Sequence, residues 1–245
     1  MGKEFGFFVK VFSKEEYRND FLKGKIFMNT IKFFKEFEDA HDGNVGDKHE
    51  AVGGWLQPKG MRIVIKPEGA EPIIITEEDL GGPIIMRMNR HDAINVFCIT
   101  LLHSHGVGID EPVDEETFEK LQGYFTVPDD LANLGEYAVV IPKITPFLDK
   151  IRNAAGALIN DKQALRFRAE KVNYYDKNSS LSLTNPDDAV FYKQSDYEHQ
   201  SEFRFCLDRG SDAAEPFILE VGDLDGIALP CLTNEINSFI KFEKY

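Results

Sequence analysis

The chain has 245 residues, 42% of them hydrophobic and 20 of them phenylalanine, and a formal net charge of -14. That length and apolar content support a sizeable folded core and exclude an intrinsically disordered chain. The acidic balance excludes a general DNA or RNA binder, which needs a basic stripe against phosphates. The longest apolar runs, 72–76 and 138–142, fall far short of the roughly 20 residues of a membrane helix.

In chain order, residues 5–12 (FGFFVKVF) read as a strand. Ser13 is expected to cap a following helix, with Glu16 completing a capping box, and Gly24 to end it. A short strand over 25–29 and an amphipathic segment from Thr30 come next. Residues 61–66, 73–76, 84–88 and 96–100 read as four successive strands, with Gly81-Gly82-Pro83 as punctuation. A short helix over 114–121, a strand over 137–141 and a longer helix from Thr145 follow, then an alternating strand over 165–175. Strands are predicted at 190–192, 201–207, 217–221 and 227–229, and a helix at 234–242. Strands dominate without a βα repeat. The predicted fold is therefore a single α+β domain over 1–245, with a mostly antiparallel, curved sheet and irregularly inserted helices. The N-terminus lacks the shape of a signal peptide. Cys98, Cys206 and Cys231 are widely spaced and read as buried thiols of a reduced, cytoplasmic protein.

Two stretches carry candidate chemistry. Residues 197–205 (YEHQSEFRF) alternate with period two, so Glu198, Gln200, Glu202 and Arg204 fall on one face of the predicted strand and the aromatic residues on the other. Such a face either lies open to solvent or meets a partner or ligand, because buried polar groups are costly unless paired. The second stretch is the acidic segment 38–50. It holds Glu38, Asp39, Asp42, Asp47 and Glu50 with His41 and His49. It reads as a solvated loop or as a divalent-metal site through Glu38, Asp47 and Glu50. Residues 39–50 have the length of an EF-hand loop, but His41 and Asn44 stand at the third and sixth positions. The pair His103 and His105, ahead of Gly106, is a lesser metal candidate.

Three pieces together resemble a large family of uncharacterised bacterial and phage proteins: the opening strand and helix leading into Gly24-Lys25-Ile26-Phe27-Met28-Asn29, the acidic loop ending in Asp47-Lys48-His49-Glu50, and the late Tyr-Glu-x-Gln-x-Glu-Phe-Arg run after Lys193. The opening of that family looks like some ADP-ribosyltransferases. The resemblance implies an NAD- or nucleotide-handling enzyme, in a setting of phage–host conflict. Glu202 would stabilise the cation formed as nicotinamide leaves, Gln200 would orient the acceptor, and Arg204 would fix the carboxylate or bind phosphate. Asn29, Glu198, Ser180, Ser182 and Lys10 would serve NAD, with Lys10 standing where an arginine or histidine is expected. Two alternatives stay open. One is a non-catalytic acidic protein that sequesters a nucleotide or small molecule, or blocks a basic protein surface. The other is a metal-dependent hydrolase built on 38–50.

Overall fold

The computed structural model describes residues 5–40, 47–108, 114–128, 131 and 133–241, leaving the side chains of 38–40 undescribed. The elements of the first half are β1 (Gly6–Phe12), α1 (Glu15–Leu22), β2 (Lys25–Thr30), α2 (Ile31–Ala40), β3 (Val52–Leu56), β4 (Arg62–Ile65), β5 (Ile73–Thr76), β6 (Ile84–Arg87) and β7 (Asn95–His103). Then come α3 (Glu115–Tyr124), β8 (Tyr137–Ile141), α4 (Ile144–Asn160), β9 (Arg166–Lys171), β10 (Asn173–Tyr175) and β11 (Leu181–Ser182). The chain continues with β12 (Tyr192–Gln194), β13 (Glu202–Asp208), β14 (Phe217–Glu220), β15 (Leu229–Leu232) and α5 (Ile236–Phe239). This is the expected α+β class, with an open and mostly antiparallel sheet.

β7 organises the main sheet. On one edge it pairs with β13, from Glu202↔Thr100 to Leu207↔Asn95, and β13 in turn pairs with β9. Its other edge is divided between two strands. β1 lies beside the C-terminal half, from Gly6↔His103 to Val9↔Thr100, while β2 meets the N-terminal end at Asn29↔Val96 and Thr30↔Asn95. After Val9, β1 leaves β7 and continues on β8 as far as Phe12↔Tyr137. The sheet therefore forks along residues 97–99, with β1 and β8 on one arm and β2 and β14 on the other.

Period-two alternation gives β7 and β13 two unlike faces. Phe97, Ile99 and Leu101, with Phe205 and Leu207, face a core built with Phe8 of β1, Phe21 of α1, and Phe147, Ile151 and Ala155 of α4, against which Phe203 packs. The rings interlock: Phe8–Phe203 centroids lie 5.1 Å apart and Phe147–Phe205 6.0 Å, the latter edge to face. Burying each such ring stabilises the fold by roughly 1.5–3 kcal/mol. On the other face, Val96 and Cys206 join one apolar cluster with Ile31 and the 189–191 segment. Leu102 joins another with Val9, Val11, and Leu121 of α3. Cys98, Thr100, Glu202 and Arg204 lie between the two clusters.

Several expected elements differ. α1 has Lys14 as its N-cap and no side-chain cap hydrogen bond, so Ser13 and Glu16 are out of register for a capping box. The amphipathic segment expected from Thr30 is α2, and Thr30 caps it, its Oγ1 accepting from Phe33 N at 3.2 Å. The strand expected over 165–175 breaks at Val172, whose N–H turns to Glu202 O at 2.9 Å. Beyond the break, β10 pairs in parallel with β12. Residues 186–191 form a 3-10 helix, with Asn185 as the cap and Pro186 in its first turn, instead of starting a strand. The C-terminal helix expected over 234–242 is confined to 236–239, and residue 242 of that span lies outside the described residues.

β4 and β5 stand apart as a two-stranded sheet of their own. Val64, Ile65, Ile73 and Ile74 on this hairpin are exposed. Among the described residues no helix is long and apolar enough to cross a membrane.

Candidate functional site

Glu202 begins β13, and the chain reaches it through a sharp turn. Residues 195–200 form a 3-10 helix and Ser201 is left-handed, at φ 43° and ψ 49°. The long strand expected over 197–205 therefore starts only at Glu202. Glu198 lies on the 3-10 helix and is exposed, while Glu202 and Arg204 share a face as the alternation predicts. The turn brings Gln200 and Glu202 back onto Lys193 of β12: its Nζ donates to Gln200 Oε1 at 3.1 Å and to Glu202 Oε2 at 2.9 Å. The Tyr174 hydroxyl accepts from Glu202 N at 2.9 Å and fixes the start of the strand.

Arg204 completes the arrangement from the next same-face position. Its Nε donates to Glu202 Oε1 at 2.7 Å. Nη1 and Nη2 donate to the two oxygens of Glu50 at 2.8 and 3.0 Å, and Nη1 also to Val190 O at 2.6 Å. The 186–191 helix that presents Val190 is held by Asp187, which accepts from Arg166 of β9 at 2.6 Å. Lys193 Nζ lies 3.5 Å from Glu50 Oε1. Glu50, Lys193, Glu202 and Arg204 are all buried. Two carboxylates and two cations out of water would be untenable singly, so their mutual pairing is a condition of the fold.

The electrostatics follow from that pairing. Burial alone would raise the Glu202 carboxyl, but the charges of Arg204 and Lys193 outweigh it and hold Glu202 well below the usual carboxylate range. Burial alone would lower Lys193, and Glu202 and Glu50 together lift it above the ordinary lysine range. Both groups stay charged at neutral pH.

A cavity of about 600 Å³ opens at the fork of the sheet, within the range of small-molecule sites. Its polar lining includes Lys10, Asn29, Thr100, Lys193, Gln200 and Glu202. Tyr17, Phe27 and Ile218 also line it and are themselves exposed, forming an apolar rim. Lys10 reaches into the gap that β1 leaves beside β7 and donates to Cys98 O at 2.8 Å, with its ammonium 5.1 Å from the Phe97 ring centroid. Burial pulls its ammonium below the ordinary lysine range, with Cys98 and Glu202 acting in the other direction. The Cys98 thiol also lines the cavity, and burial with Glu202 nearby pushes it up to about 12, so it stays a thiol.

The structure thus brings Glu202, Gln200, Lys10 and Asn29 to one cavity. Arg204 lies behind Glu202 with its donors directed at Glu202, Glu50 and Val190; the geometry gives it the carboxylate-fixing half of its expected role and turns it away from phosphate. Ser180 and Ser182 are elsewhere, Ser182 in β11 of the small sheet β11-β3-β6 and Ser180 just ahead of it, where Ser180 Oγ accepts from Gln57 N at 2.9 Å. Asp47 and Glu50 are buried, not solvated, and Glu50 is drawn into the ion cluster. Asp47 Oδ1 accepts from His49 N at 2.7 Å. Glu38 lies on the α2 backbone with its side chain outside the described set, and residues 41–46 of the acidic segment are outside it altogether. Among the described residues no three His, Cys, Asp or Glu side chains group as a metal set. The His103 and His105 rings stack on each other at 3.9 Å. Sequence reasoning used Lys193 only to mark the approach to the late run and gave it no chemical role; its signal was a lysine directly after the apolar 189–192 stretch.

Fold and site together define an α+β protein with a forked, mostly antiparallel sheet and, at the fork, a largely apolar cavity into which a few charged side chains converge. Comparison with protein-family models, with curated proteins and with solved structures finds no match.

Proposed function

We propose that the chain is an NAD-handling enzyme of ADP-ribosyltransferase-like character, with its reaction centre at Glu202. The observation that carries this reading is a buried carboxylate, kept ionised, on the wall of a ligand-sized cavity. A fixed negative charge in a water-poor site favours a transition state in which positive charge develops on a sugar carbon. The bond between that carbon and nicotinamide breaks, its electron pair leaving with nicotinamide. An acceptor oxygen or nitrogen then forms the new bond and releases its proton to solvent. Gln200, beside Glu202 in the lining, orients the acceptor, and Lys10 of β1 and Asn29 of β2 hold the nucleotide from the two arms of the fork.

The test is incubation with NAD and measurement of free nicotinamide. Release is expected in the wild type and its loss in Glu202→Gln, which keeps the shape and removes the charge. Release that survives the substitution would refute the assignment.

One observation favours a second reading, a nucleotide-sequestering protein without turnover. Both oxygens of Glu202 already receive hydrogen bonds from cations, at 2.7 and 2.9 Å. Under that reading a nucleotide raises the melting temperature by mass action and is recovered intact.

A further inference from the structure

The four buried charges at the site cancel: Glu50 and Glu202 against Lys193 and Arg204. A neutral cluster is poorly matched to a developing cation, so a charge has to leave before Glu202 acts at full strength. The two cations are not equally able to leave. Arg204 is 1% exposed and anchored by four hydrogen bonds, one of them to a backbone carbonyl. Lys193 lines the cavity, holds its partners through a single ammonium on a flexible stem, and covers Glu202 Oε2.

We infer that Lys193 is a latch released by an anionic group of the ligand. A phosphate entering the cavity draws the ammonium off Glu202 Oε2. The remaining Glu50–Arg204–Glu202 set then carries one net negative charge. Glu202 keeps its position throughout, because Arg204 holds the other oxygen and Tyr174 holds the backbone. A ligand without phosphate leaves the latch closed. This couples recognition of the phosphate to the strength of the carboxylate, so the substrate class is a phosphate-bearing nucleotide and not a nucleoside. Lys10 plays a different part: it donates to the Cys98 carbonyl, so its withdrawal toward a phosphate aids binding without uncovering Glu202.

The inference rests on the reading of Glu202 given above, and the two fail separately. NAD and nicotinamide riboside share the bond that breaks and differ by the phosphates and adenosine. The wild type is expected to release nicotinamide from NAD with a kcat higher by about tenfold or more, the usual scale of coupling between two ligand groups. Adding AMP, which supplies the phosphate group on a separate molecule, is expected to speed cleavage of nicotinamide riboside. In Lys193→Met the kcat ratio between the two substrates collapses toward one and AMP loses its effect; Lys10→Met raises KM for NAD and preserves the ratio. Equal kcat values in the wild type, no stimulation by AMP, or an unchanged ratio in Lys193→Met overturns the latch while leaving the role of Glu202 intact. The wild-type measurements decide the matter if Lys193→Met does not fold. If the wild type cleaves neither substrate, the enzyme reading fails, and calorimetry then judges the latch through ADP-ribose against adenosine in the wild type and Lys193→Gln. An advantage for ADP-ribose that disappears in the variant supports Lys193 as the phosphate group's partner, and an advantage that persists, or none in the wild type, overturns it.

Discussion

Arg204 and Glu50, 154 positions apart in the chain, face each other through two hydrogen bonds, Nη1 to Oε2 at 2.8 Å and Nη2 to Oε1 at 3.0 Å. This paired contact ties the end of the acidic segment to the centre of the main sheet, and through Arg204 it fixes the orientation of Glu202. Removing one partner strands a buried charge. Glu50→Ala is expected to destabilise the fold by about 3–5 kcal/mol, and Arg204→Met by a similar amount. The double variant is expected to cost less than the sum, because the contact is removed once. Urea denaturation of the four proteins measures the coupling; additive losses would show that the two side chains do not cooperate.

Acid should weaken the protein through Glu202. Its folded carboxyl lies below the unfolded value, because Arg204 and Lys193 outweigh the opposing effect of burial. The associated stability is fully present above the unfolded pKa of about 4.3 and is lost as pH falls from there toward the folded value. Lys193, raised in the fold by Glu202 and Glu50 against the effect of burial, contributes stability that is present below about 10.4 and lost as pH rises past it. Stability against pH, measured by denaturant midpoint, should fall less steeply below pH 4 in Glu202→Gln than in the wild type.

Ser201 holds a left-handed backbone, φ 43°, immediately before Glu202. A non-glycine residue there costs about 1–2 kcal/mol. Ser201→Gly is expected to leave the melting temperature unchanged or raise it, and Ser201→Val to lower it, with ligand affinity following the variant that displaces Glu202. Thermal melts with and without ADP-ribose distinguish a purely local strain from a displaced carboxylate.

The β4–β5 hairpin pairs only within its own two-stranded sheet, and four of its aliphatic side chains are exposed. Replacing residues 62–76 by a short Gly-Ser connection is expected to leave the melting temperature within a few degrees and to reduce light scattering at high concentration. A large loss of stability would show that the hairpin packs on the main body.

Much of the site was legible because alternation is a local signal. It put Glu202 and Arg204 on one face and Phe203 and Phe205 on the other, while the strand expected at 137–141, a short apolar run, matches β8 to the residue. Gly24 was legible as a helix stop: it sits at φ 86°, where a Cβ would collide with the Gly222 carbonyl. What was hidden depends on contacts distant in sequence. The acidic run to Glu50 reads as a loop because nothing nearby announces Arg204. The 195–200 turn mimics a strand because its polar residues happen to alternate. Lys10 looks like a flaw in an apolar strand until β1 parts from β7 and leaves it a carbonyl to meet.

The hollow owes its existence to how the strands divide, since β1 and β2 share one edge of β7 without meeting. Side-chain changes along its walls alter what fits there, yet none of them restitches the backbone. Such a vacancy, written into the topology itself, is open to new chemistry over evolutionary time while the scaffold around it endures.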